Sequence, residues 1–207
     1  DSVEFRVDTT PPLAVILSPL QGALLNHGQV DIIYEVSGAD EGSSIEIRVD
    51  GGDWVSVGLD GHLTMEFQGE GEHTIILRVV DSAGNMAMVS SSVMVDVTPP
   101  ELTILTPNEG KIFNISSLTL SWSAFDRLSG LLMMEMLLEE GPWNVVQGNS
   151  IPLSGMIEGD HQIMLRATDR AGNSVIREVN FTVDLTPPII NFISPMEDEL
   201  LSQSTFT

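Results

Sequence analysis

HTIILRVVDSAGN, His73 to Asn85, returns as HQIMLRATDRAGN from His161 to Asn173. In the first copy Ile75, Leu77 and Val79 alternate with Thr74, Ile76 and Arg78; in the second Ile163, Leu165 and Ala167 fall at the matching places. A period of two is that of a strand with one face buried. The closing DSAGN and DRAGN then read as tight turns between two strands, with Gly84 and Gly172 supplying positive φ.

The interval is general. Val-Asp-x-Thr-Pro-Pro ends at Pro12, Pro100 and Pro188, 88 residues apart each time. Pro19 matches Pro107, Gly22 matches Gly110, Tyr34 matches Trp122, and Trp54 matches Trp143 with a one-residue slip. A long fixed period marks tandem units. The 207 residues then divide into a last strand of a preceding copy with linker (1–10), two full copies (11–98 and 99–186) and the first strands of a following copy (187–207). Short alternating runs separated by Gly, Asn, Asp and Pro recur within a copy, QVDIIYEV (Gln29–Val36) among them, and no helical period appears. About seven strands per copy predict an all-β fold, a tandem of immunoglobulin-like antiparallel β-sandwiches.

With 42% hydrophobic residues and a mean hydropathy of +0.16, the chain has material for packed cores. No apolar run approaches the roughly 20 residues of a membrane helix, so no direct membrane insertion is expected of this segment. The opening DSVEFRVD lacks the pattern of a signal peptide. Thirty acidic against eight basic side chains give a charge of −22, which repels phosphate backbones and excludes nucleic acid as a natural partner. Absent cysteine excludes a disulfide scaffold and thiol chemistry.

These features together resemble the fibronectin type III-like or Big-type immunoglobulin-like repeats of bacterial and archaeal surface and secreted proteins: the period near 90, VDxTPP at the junction, H-x-I-x-L-R before D-x-A-G-N, and a Trp after the mid-domain hairpin. The resemblance implies an extracellular structural or adhesive stalk. Its partners would be neighbouring repeats and a protein or cell-surface ligand, or it would be an accessory module of a secreted hydrolase. It supplies no catalytic residue. The sequence agrees: His27, His62, His73 and His161 lack metal spacing, and nucleophile-elbow, phosphate-loop and dinucleotide patterns are missing. The expectation is a non-enzyme without an obligate cofactor.

Three groups of residues stand out as candidate sites. Loops expected at the linker pole of each sandwich place Asp8, Asp40, Asp81 and Asn85 together in one copy, and Asp96, Asp126, Asp169 and Asn173 in the other. Calcium takes six to eight hard oxygen ligands of this kind, so these are candidate calcium ligands in a rigidified adhesin. Capping of their own turns by the aspartates is the plainer reading. In LLMMEMLL (Leu131–Leu138) strict alternation assigns Leu132, Met134, Met136 and Leu138 to the core, leaving Leu131, Met133 and Leu137 as a candidate partner surface. Asn114 and Asn180 match the N-x-[ST] glycosylation pattern. Trp54 and Trp143 are read as packing residues rather than sugar platforms.

Overall fold

A computed structural model describes residues 6–191 and 193, and these contain strands and no helix. The first copy pairs β1 (Leu13–Ser18), β3 (Gln29–Ser37) and β6 (His62–Glu66) in the order β1-β3-β6. Facing it are β2 (Leu24–Leu25), β4 (Ser44–Val49), β5 (Val55–Ser56), β7 (Gly71–Val80) and β8 (Met86–Val95), in the order β2-β8-β7-β4-β5. The second copy repeats the plan. Its smaller sheet is β14 (Ser150–Ser154), β11 (Ser117–Phe125) and β9 (Glu101–Thr106). Its larger one takes β10 (Lys111–Phe113), β16 (Ser174–Val183), β15 (Gly159–Asp169), β12 (Leu131–Leu138) and β13 (Asn144–Val146).

Each copy thus has eight strands where about seven were expected. The addition is a change of sheet. After β1 the chain meets Pro19, which cannot donate to a ladder, and then Gly22 at φ 79. It emerges as β2, paired in parallel with β8; β10 joins β16 in the same way.

Alternation holds where it was read. Val30, Ile32 and Tyr34 of β3, with Ile75, Leu77 and Val79 of β7, are buried in one core. Leu120, Trp122, Ile163, Leu165 and Ala167 are buried in another. The turns 81–85 and 169–173 close the β7–β8 and β15–β16 hairpins, with Gly84 at φ 92 and Gly172 at φ 100. The terminal strands expected in 1–10 and 187–207 fall largely outside the described residues.

Strand β12 departs from strict alternation. Leu131 pairs with Asp169 but Met133 with Thr168, so Leu132 is the extra residue of a β-bulge. The bulge rotates the start of the strand. Leu132, assigned to the core, is 60% exposed, whereas Leu131, assigned to a partner surface, packs against the core. From Met134 onward the alternation is as read, with Met134 buried and Met136 and Leu138 against the core. Of the three proposed surface residues Met133 alone is exposed, and Leu137 is half-buried on the side of the sheet where Trp143 lies. A continuous apolar outer row does not form here.

Candidate functional site: the joint and its acidic cluster

The junction phrase sits between the copies and bonds to both. Behind it, Thr98 Oγ1 donates to Glu70 Oε1 (2.7 Å), and Val97 N–H to the same oxygen (2.9 Å). Ahead of it, Asn173 Nδ2 donates to the Asp96 carbonyl (2.7 Å), and Ser129 N–H to Asp96 Oδ2 (2.9 Å). Asp96 also caps its own turn by accepting from Thr98 N–H (3.2 Å). Two prolines, Pro99 and Pro100, then fix φ and withhold backbone donors between the end of β8 and the start of β9.

The flanking junctions use the same contacts. Asn85 Nδ2 donates to the Asp8 carbonyl (3.2 Å), as Asn173 does to Asp96. Thr186 Oγ1 donates to Glu158 (2.8 Å), as Thr98 does to Glu70. The roles of Asn85 and Asn173 were signalled by their place in the repeated turn. Glu70, Glu158 and Ser129 were not identified from sequence, although the Glu-to-Thr offset is 28 residues in both copies.

Three of the candidate calcium ligands converge, and the fourth, Asn173, meets them as an N–H donor rather than an oxygen ligand. Carboxylate oxygens of Asp96, Asp126 and Asp169 lie within 4.8 Å of one another, and Asn173 Nδ2 bonds to Asp169 Oδ2 (2.9 Å). Asp96 directly follows β8, Asp126 opens the β11–β12 loop, and Asp169 ends β15. Asp96 and Asp169 are fully buried. Asp126 Oδ1 accepts from Gly130 N–H (2.6 Å), and Asp169 Oδ1 from Gly172 and Asn173 N–H (2.7 and 2.8 Å). No salt bridge to any of the three exists among the described residues. Three carboxylates this close repel one another, and burial strengthens the repulsion. The amide donors offset part of it, and each carboxylate still has lone pairs uncommitted. An all-oxygen set of this kind suits a hard divalent cation.

The other set does not assemble, and here the sequence reading needs correcting. Pairing of Ser37 with Leu13 and of Phe125 with Glu101 makes Gly38 the counterpart of Asp126. Asp40 lies two residues further along, and its carboxylate turns to the next loop, accepting from Ser43 Oγ (2.6 Å), Ser82 Oγ (2.5 Å) and Ser82 N–H (3.1 Å). These hydroxyls, Ser43 foremost, stabilise the carboxylate and hold its pKa down at about 2. Asp81 caps its own turn through Asn85 N–H (2.8 Å), and exposed Asp8 does likewise through Thr10 N–H (2.9 Å). The plainer reading describes this joint.

The remaining candidates fall into place. Asn114 is exposed in the turn after β10; Asn180 is half-buried in β16, with its N–H on Glu109 Oε2 (2.9 Å). His73 and His161 are buried, each with Nδ1 on the acidic residue after β4 or β12: Asp50 at 2.6 Å and Glu139 at 2.7 Å. Trp54 and Trp143 lie on the outer face of the larger sheets, against arginines of those sheets. Arg78 and Arg48 stand 4.0 and 4.6 Å from the Trp54 ring centroid, and Arg166 stands 4.4 Å from that of Trp143. Glu46 and Glu135 accept from those same Arg78 and Arg166 side chains, and the Arg166 hydrogen bond lowers the Glu135 pKa. The guanidinium groups occupy ring surface that a stacked sugar would need.

No family model and no curated protein matches the chain. Solved structures do. The fibronectin(III)-like modules of Clostridium thermocellum CbhA align over 87% of this chain and 100% of theirs, at 17% identity and a TM-score of 0.51. Three N-terminal domains of the bacteriophage RB49 highly immunogenic outer capsid protein align over 86% of this chain and 71% of theirs, at 10% identity and a TM-score of 0.53. Strand order, paired cores and these likenesses agree: the chain is a tandem of fibronectin type III-like, immunoglobulin-type β-sandwiches.

Proposed function

We propose that the chain is a non-catalytic spacer, a stretch of extracellular or cell-surface stalk whose repeats are held at fixed joints. One observation carries this reading: junction contacts recur in kind, Asn to the Asp carbonyl ahead and Thr to Glu behind. A linker bonded on both sides loses the freedom of a flexible tether, so length and direction pass from repeat to repeat. The acid-rich surface suits exported, well-solvated molecules that repel their neighbours. Small-angle scattering on the full chain tests it. Wild type is expected to fit one narrow distribution of end-to-end distance. Asn85→Ala with Asn173→Ala should broaden it; an equally broad distribution in wild type would sink the reading.

A second reading concerns the junction at Asp96. The converging Asp96, Asp126 and Asp169 favour calcium as a stiffener of that joint. Calcium bound only to the folded chain raises its melting temperature by mass action. Calorimetry should show a rise with calcium over chelator that disappears in Asp126→Asn. An unchanged melting temperature in wild type eliminates this reading and leaves the spacer role standing.

A further inference from the structure

The two copies share sheets and joints, yet one outer face differs. On the smaller sheet of the first copy, Val15 of β1 and Ile33 of β3 point outward, 43% and 42% exposed. Strand pairing matches them to Thr103 and Ser121. Leu59 stands beside them, 70% exposed, in the turn before β6. Its counterpart is Gln147, because Tyr34 and Trp122 donate to the carbonyls of Gly61 and Asn149, two residues on. With Leu17 these side chains line a trough of about 680 Å³, and Glu35 and Asp60 stand along it. The second copy has Ser123 and Gly148 where those acids are. Val15, Ile33 and Leu59 of the floor, and the acidic rim, are therefore particular to the first copy, while Leu17 has an exposed counterpart in Leu105.

The array itself does not explain this face. Both copies carry the same Asn-to-Asp junction bond, so a neighbouring repeat would meet the second copy's hydroxyl-lined face as readily. A second molecule of charge −22 is a poor match for an acidic rim. The sheet edge does not set the copies apart, since β1 and β9 are both edges of their sheets among the described residues.

We infer that this trough takes an extended segment of another protein, apolar on one face and flanked by Lys or Arg, laid across the outer face of the sheet. Burial of alternate apolar side chains among Val15, Leu17, Ile33 and Leu59 would supply binding, and Glu35 with Asp60 would select basic flanks. The spacing role does not depend on this surface.

The test uses the full chain and NMR titration with an acetylated octapeptide alternating valine and lysine, beside one alternating valine and glutamate. The lysine peptide is expected to shift β1, β3 and Leu59 signals, less so at high salt. Val15→Thr with Ile33→Ser installs the residues that the second copy carries there, and should weaken binding at least tenfold. No response to the lysine peptide, an equal response to the glutamate peptide, or equal shifts around Thr103 and Ser121 would overturn the inference. Light scattering that shows dimers dispersed by the same double variant would also overturn it, by giving the face to self-association.

Discussion

At the scale of single residues, short polar side chains hold the loops of both copies. Asp40 is the sharpest case, since one carboxylate receives two hydroxyls and an amide. Its folded pKa lies at about 2, below the ordinary 3.8. A carboxyl depressed on folding stabilises the fold above its unfolded value, and that contribution fades as pH falls from about 4 through about 2. NMR titration of wild type should place the Asp40 midpoint near 2. Ser82→Ala removes one hydroxyl and should move the midpoint up towards 3.8; an unmoved midpoint would separate Asp40 from this loop bond. The same residue shows where sequence reading stopped. An aspartate in the right loop was legible, and the 88-residue period already sets Gly38 rather than Asp40 opposite Asp126; strand pairing has the same offset, and only the fold shows where the Asp40 carboxylate turns instead.

At the scale of elements, β7 and β15 were legible from their alternation, because a strand with one buried face writes its period into the chain. Strand β12 was legible only in part. Seven of its eight residues are apolar, so hydrophobicity cannot say which of Leu131 and Leu132 faces inward. The bulge decides, and it is a property of the pairing with β15. The two leucines should therefore respond differently to the same change. Leu131→Ser removes core packing and should cost about 1–3 kcal/mol, whereas Leu132→Ser at an exposed bulge should stay within about 0.5 kcal/mol. Urea denaturation measures both, and equal losses would contradict this assignment of faces.

The outer tryptophans belong to this scale as well. Glu46, Arg78 and Trp54 in one copy, and Glu135, Arg166 and Trp143 in the other, build the same stack of acid, guanidinium and ring. The stack explains why a Trp recurs after a hairpin without entering either core. In the second copy Leu137 replaces Arg48, the residue whose Nε is buried without a partner. The stack therefore persists with a single cation.

At the scale of the whole molecule, two separate cores sit on either side of a joint made of hydrogen bonds. Each sandwich buries its own apolar faces, and a net charge of −22 works against compactness throughout. Monovalent salt should therefore raise the melting temperature by screening like charges. Differential scanning calorimetry between low and physiological ionic strength checks this. A melting temperature that does not rise with salt would show that the acidic surface carries no net repulsion in the folded chain.

The sequence by itself determined the repeat, the strands, the turns and the junctions, because periodicity, proline and glycine act within a few residues of where they stand. Tertiary structure alone decided which acids meet, which leucine the bulge turns outward, and that one copy carries an apolar trough. Those outcomes depend on register between strands distant in the chain, where a shift of one residue changes the face a side chain occupies.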